Sequence, residues 1–353
     1  MSAAIAGSGK LAALWRSGAR ERGMFSAFAL MFIVLWLSNP SFVSQDNLVN
    51  TSRQIAMLAV FATGIAFVII TGGIDLSVGS VIGLTGVIIA KISAPTNYGG
   101  LNFDLWTGIP VALAVALLVG LAQGLLITRL NLQPFIVTLG GMLVLKGVSQ
   151  TIVEGKSIYL GLAGFRDFVR QGLFEINGAP VIVWPIVIMI GVLVVAAYVL
   201  HFSVYGRYLF AIGGNRDAAS YSGIPVKRVE CSTYVISAFL AGVAGVMYAA
   251  YQGEMKHTVG EGDELQAIAA VVLGGVSLRG GEGTVIGVLI GSAIMRIIVN
   301  GIEMFRIGDW RPDENWKMII IGSVILIAVI LDQLVHIVQA RRRTRRAAIA
   351  TSG

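Results

Sequence analysis

The sequence predicts an all-α integral membrane protein, and three observations predict it. Of 353 residues, 56% are apolar and only 13% charged, about half the charged share of an ordinary soluble domain. Mean hydropathy is +0.81. The apolar residues also gather into runs, most of them long enough to cross a hydrocarbon core of about 30 Å.

Ten such runs are expected to span, at residues 24–38, 54–70, 76–92, 108–128, 135–153, 180–200, 231–252, 265–278, 284–302 and 317–337. The first has no A-x-A-like cleavage site behind it and is expected to remain as a span. Residues 1–23 then form a short N-terminal segment, 24–338 a transmembrane domain, and 339–353 a basic tail. An even number of crossings puts both termini on one side. Fifteen Lys and Arg residues flank the spans on that side, among them Lys10, Arg16, Arg129, Arg207, Arg216, Lys227, Arg228, Arg279 and Arg341 to Arg343. Nine lie opposite (Arg53, Lys91, Lys156, Arg166, Arg170, Lys256, Arg306, Arg311 and Lys317). The positive-inside rule therefore expects cytoplasmic termini. The basic balance follows from this orientation and is no argument for nucleic acid. The terminal arginines suit anionic lipid.

Several chemistries find no support. Cys231 is the only cysteine, and His201, His257 and His336 lack the spacing of metal ligands. No nucleophile and base are paired, so no catalytic residue is expected. Gly155-Lys156-Ser157 imitates the end of a P-loop, but Gln150 stands where its leading glycine belongs. The chain is expected to hold no cofactor, and any ATP must be used by another subunit.

Two short spans match each other without a gap. Gly73-Ile74-Asp75-Leu76 opens the third and Gly262-Asp263-Glu264-Leu265 the eighth; Leu84 then matches Leu273, and Gly86 matches Gly275. Spans five apart run in opposite directions, so the match predicts an inverted repeat with interrupted helices. A gapped rival sets Gly72–Leu76 against Gly274–Leu278 and implies parallel repeats. Asp75 and Glu264 suit the positive ends of helix dipoles. They either simply cap these helices or border a solute path together with Ser77, Ser80 and Gln266. Neutral polar groups of that kind suit an uncharged hydroxylated solute. The pairs Gly79/Gly83, Gly120/Gly124 and Gly287/Gly291 are spaced for close helix packing. Lys146 and Arg296, within spans, are expected to pair or snorkel, with Glu154 and Glu303 nearby.

The longest inner loop, about 201–230, mixes small residues with aromatics and is broken by Gly223 and Pro225. Small residues allow close docking and aromatics supply anchor area. Gly206, Arg207, Phe210, Gly213, Asn215, Ala218, Ala219, Gly223 and Ile224 are therefore expected to form a docking surface for a cytoplasmic partner.

Three ordered stretches carry a family likeness. Thr71-Gly72-Gly73-Ile74-Asp75-Leu76-Ser77-Val78-Gly79-Ser80, Gly206–Gly223 and Asp263–Gly275 resemble the permease subunits of ribose-type bacterial ABC monosaccharide importers, over about residues 30–335. The resemblance implies an inner-membrane permease working as a pair, identical or not, with an ATPase that binds ATP and Mg and a periplasmic sugar-binding protein. It implies that Gly206–Gly223 contacts the ATPase, and that solute crosses by alternating access. The outer segment Arg306–Pro312 and the Arg-rich tail depart from ribose permeases, which leaves pentoses, hexoses and inositol open. A permease for branched-chain amino acids or nucleosides, and a proton-coupled secondary transporter, stand as alternatives. The latter would need functional carboxylates within spans, and only Asp75, Glu264 and Asp332 lie near span ends.

Overall fold

The computed structural model describes residues 23–305 apart from 27, 171, 177 and 178, and then 312, 315–316, 318–327, 329–330 and 333. The N-terminal segment 1–22, most of the outer segment 306–312, the end of the tenth run with Asp332 and His336, and the basic tail 339–353 lie outside the described residues.

Apolar composition and helix geometry account for most of the elements. Helix α1 (Gly23–Ser38) is followed by α2 (Gln45–Ile70), α3 (Val78–Ser93), α4 (Leu105–Arg129), α5 (Pro134–Val153), α6 (Ala163–Arg170), α7 (Trp184–Phe202), α8 (Val204–Gly214), α9 (Arg216–Tyr221), α10 (Val226–Gln252), α11 (Asp263–Leu273) and α12 (Val285–Met304). A last helix, α13, covers Met318–Ile327. Among the described residues, α2, α4, α5, α7, α10 and α12 are each long and apolar enough to cross a membrane.

Lipid gives apolar helices no hydrophobic reason to associate, so close contact between small residues must do it. Two of the three predicted glycine pairs serve this purpose, and the third packs a non-helical segment. Gly120 and Gly124 of α4 sit against the α10 backbone at Tyr234 and Cys231, and Gly287 and Gly291 of α12 against Gly274 and Ala270. Gly79 and Gly83 of α3 receive the chain at Gly260 and Val259. Helix α2 lies at the centre, buried along nearly its whole length from Ala56 to Ile70. Helices α4, α5 and α7 leave large apolar side chains exposed, such as Leu118, Val144 and Val194, as lipid-facing helices do.

The inverted repeat is visible in the packing. Gly64 of α2 meets Ser237 of α10, and Asn50 accepts a hydrogen bond from Tyr251 at 2.7 Å, so the two long helices run antiparallel. Each is followed by a non-helical break, a short helix, a loop and another long helix: α2, α3, α4 in one half and α10, α11, α12 in the other. The packing respects the same relation, with α10 against α4 where α2 lies against α12, and α3 against α4 where α11 lies against α12. This favours the inverted repeat over the parallel one, although Asp75 precedes α3 while Glu264 lies within α11.

Four expectations need correction. The eighth run, 265–278, is not a full span: α11 has 11 residues and measures about 16 Å. The non-helical stretch Gly253–Gly262 completes the course, antiparallel along α3, with Met255, Val259 and Gly260 packed on Gly86, Gly83 and Gly79. The sixth run begins later than 180, because Ala179–Val183 is a strand (β3) paired with Gly172–Ile176 (β2). A second small ladder joins Ile158–Tyr159 (β1) to Glu254–Met255 (β4). Arg53, assigned to an outer loop, lies within α2, buried, with its guanidinium 5.3 Å from the centre of the Tyr251 ring. Finally, the expected inner loop at 201–230 is mostly helical, holding α8, α9 and the start of α10. The expected pairing of Lys146 and Arg296 is found, Lys146 with Glu261 and Arg296 with Asp263.

Candidate functional site

The first break, Thr71–Ser77, follows α2 because Gly72 turns the chain at φ +84°, a region that only glycine enters freely. Asp75 is then carried into the interior, 1% exposed. Its Oδ1 accepts from the Ser77 amide at 2.9 Å and the Ser77 hydroxyl at 2.7 Å, and its Oδ2 accepts from Ser237 of α10 at 2.8 Å. Ser77 also lies 2.9 Å from the Gln123 side chain of α4. A hydroxyl has one proton to give, so with that proton on Asp75 the Gln123 amide turns its nitrogen toward Ser77 and donates. The carboxylate thus ties the break to α10 directly and to α4 through Ser77.

The second break ends at Gly260 and Gly262, both at positive φ. Asp263 opens α11 and is buried; it accepts from Tyr248 at 2.9 Å and lies 3.6 Å from Arg296 of α12. Arg296 donates to the Tyr248 hydroxyl at 3.3 Å. Both halves follow one plan, in which a carboxylate at the break is fixed by polar groups from the neighbouring long helices.

The predicted path residues fall into two groups. Asp75 and Ser77 are buried and bonded to each other. Ser80, Glu264 and Gln266 are half-buried, and Glu264 abuts Gly79, the neighbour of Ser80, so this turn of α3 meets the start of α11. The Gln266 Oε1 has no hydrogen-bond partner among the described residues. The sequence reading missed Ser237, Gln123, Tyr248 and Asp263 as partners. Gln123 left a readable signal, an amide deep within an apolar run; the rest required the fold.

Replacing Asp75 with alanine leaves the Ser77 amide without its acceptor and frees two hydroxyls. Orphaned buried donors cost roughly 1–3 kcal/mol each, and the hydroxyls can turn to backbone carbonyls, so the expected loss is about 2–4 kcal/mol. Asp75→Asn, which keeps one oxygen and lets Ser237 accept, is expected to recover most of it. Thermal unfolding of the two variants in detergent checks the order; equal midpoints would refute the role of the carboxylate.

Residues 203–224 form the corner where the docking surface is expected. Ser203 caps α8, its Oγ accepting from Gly206 at 3.1 Å. Asn215 closes α8 and caps α9, its Oδ1 accepting from Ala218 at 2.9 Å. Arg216 binds both oxygens of Glu230, at 2.7 and 3.1 Å, and that hydrogen bond holds its guanidinium above the ordinary value. Arg207, Asn215, Ala218 and Gly223 are exposed, Phe210, Gly213 and Ile224 half-buried, and Gly206 and Ala219 buried. Tyr221 is 92% exposed. Under this surface three chain segments meet: a Cβ on Gly213 would strike the Ile70 carbonyl at the end of α2 and the Gly281 amide, and Gly281 donates to that same carbonyl at 2.9 Å.

Residues 47–329 match the family described as the permease component of the branched-chain amino acid transport system. The chain belongs to this permease family. The ribose import permease protein RbsC of Haemophilus influenzae is 36% identical over 313 residues, covering 88% of the permease and 93% of that protein. RbsC of Bacillus subtilis is 36% identical over 320 residues, covering 89% and 93%. The galactose/methyl galactoside import permease protein MglC of Escherichia coli is 33% identical over 331 residues, covering 89% and 94%. No solved structure gives a significant match to the permease. The family range takes in both breaks, both short helices and the α8–α9 corner. The permease is therefore a ribose-type, multi-pass transport subunit rather than an enzyme.

Proposed function

We propose that the chain is the membrane permease of an ATP-driven, binding-protein-dependent importer of a monosaccharide or similar polyol, of the pentose, hexose or inositol class. The observation that carries this reading is the near full-length 36% identity to ribose import permeases, joined by a galactose permease at 33%. The neutral polar groups at the two breaks suit an uncharged hydroxylated cargo. In this reading the protein sits in the bacterial inner membrane with cytoplasmic termini and works with a second permease copy. An ATPase carrying ATP and Mg docks on α8 and α9, with Arg207, Asn215, Ala218 and Tyr221 on the contacting face. A periplasmic binding protein delivers the solute to the opposite end.

The mechanism is alternating access. Closure of the ATPase pair moves α8 and α9, and Gly213 transmits that movement to the end of α2 and to the Gly280–Gly281 turn before α12. Ser77 and Ser80 in one half, and Glu264 and Gln266 in the other, border the passage in its open states. Free energy enters because each state binds nucleotide and solute differently; tight binding alone shifts nothing.

Gentle purification of the tagged chain from native membranes, with mass identification of its companions, tests the reading. Recovery of a P-loop ATPase together with a sugar-binding protein supports it. A binding protein that takes branched-chain amino acids or nucleosides would redirect the substrate assignment. A stable complex with no ATPase, or uptake that stops when the proton gradient is collapsed at constant ATP, would favour a secondary transporter.

A further inference from the structure

The end of the molecule that carries α8 and α9 also holds a cleft of about 370 Å³, within the size range of small-molecule sites. Three segments build it: the start of the first break, the turn between α4 and α5, and the corner between α9 and α10. Arg216 and Glu230 form one wall, and as an ion pair they offer donors and acceptors with no net charge. Tyr234 lines the floor. The residue is 2% exposed, yet its hydroxyl has no hydrogen-bond partner among the described residues. That hydroxyl points at Gly73, where a Cβ would strike it, and both residues line the cleft. With the rest of the side chain buried, the hydroxyl stands at the cleft, where water or an occupant can bond it. Gln133 adds an exposed amide, and Ile127 and Leu132 add apolar surface.

We propose that this cleft binds a small uncharged polyhydroxylated molecule of the same class as the transported solute, and that its occupation slows transport. The identity of the occupant rests on the sugar-importer reading above. Vicinal hydroxyls can donate to Glu230 and accept from Arg216 together, a third can partner Tyr234, and a C–H face can lie on Leu132. A net charge on the ligand would gain nothing from a wall that is already neutralised. An occupant in this position bridges α9 to the turn between α4 and α5, which the Gly213 contact does not drive. It therefore favours whichever state holds them at one spacing, and links solute accumulated on that side to the rate of further entry.

The complete importer is reconstituted in proteoliposomes with ATP in the lumen, on the side of α8 and α9, and the lumen is preloaded with ribose, galactose or myo-inositol. Initial uptake of the labelled compound is then measured. Preloading is expected to slow the wild type by at least about fivefold, the low end of allosteric coupling. Leu132→Trp fills the cleft from a side chain that is 44% exposed on a surface turn; it is expected to keep the unloaded rate and lose the inhibition. No slowing in the wild type, or equal slowing in the variant, would overturn the proposal while leaving the importer reading intact. If none of the three compounds is transported, the importer reading fails first, and equilibrium dialysis of the full-length permease against each labelled compound decides the cleft. Binding that is lost in Leu132→Trp and weakened in Tyr234→Phe upholds it; absence of binding overturns it.

Discussion

Replacing Gly213 with leucine is expected to cut ATP-dependent solute uptake at least tenfold, while ATP hydrolysis by the assembled complex continues. At this position a side chain meets main-chain atoms, the Ile70 carbonyl and the Gly281 amide, and main chain cannot swing aside as the end of a flexible side chain does. Overpacking costs about 1–3 kcal/mol, and losing the Gly281-to-Ile70 hydrogen bond adds about 1 kcal/mol. Since 1.4 kcal/mol is a factor of ten, the sum is enough to disconnect α8 from α2 and from the turn before α12. Gly223 is expected to give a weaker version of the same phenotype. Its φ of +82° strains any other residue, but no atom lies within 4 Å of where its Cβ would sit. Parallel assays of uptake and hydrolysis in proteoliposomes check both variants, and normal uptake by Gly213→Leu would show that the docking assignment is wrong.

Arg296→Met is expected to destabilise the protein by about 3–5 kcal/mol, because it leaves the buried Asp263 carboxylate without its counter-charge. Tyr248 can still donate to Asp263, which places the expected loss toward the lower end. The double variant Arg296→Met/Asp263→Leu should regain much of the loss, since removing both partners removes the orphaned charge. Thermal unfolding of the three proteins in one detergent measures the coupling. Purely additive losses would mean that the pair contributes nothing of its own.

The long helices were legible because each is a run of about twenty apolar residues, a signal that needs no tertiary information. Helix α2 shows the limit of that signal. Its first turns, Gln45–Arg53, are mostly polar, and there the Tyr251 ring faces Arg53 while Tyr251 and Asn300 donate to Asn50 and Asn47. Helix α11 shows another. Its apolar composition extends past Leu273, but Gly274 brings the backbone against Gly287 of α12 and the helix ends there. Asp75 was readable as a carboxylate at a break and its neighbour Ser77 as polar, since both sit in one short motif. Their partners Ser237 and Gln123 are 162 and 46 residues away in the chain, and no local pattern points to them. The corner at 203–224 reads from the sequence as a loop and is two short helices; only its turns were legible, because glycine and asparagine act locally: Asn215 caps α9 from its own position, and Gly223 follows its end.

The antiparallel union of α2 with α10 has a consequence for how the chain is made. The first half leaves the ribosome with its most central helix lacking the neighbours that will surround it, and with Asp75 lacking the hydroxyl that Ser237 will bring. Neither half holds its own centre, because α2 is enclosed by α10, α11 and α12 and α10 by α2, α3 and α4. Insertion into the bilayer and completion of the interior are therefore separate events. Between them lipid can solvate the apolar side chains of α2 but not the Asp75 carboxylate, so a synthesis arrest placed before α10 should yield a protease-sensitive intermediate and one placed after α12 a resistant product.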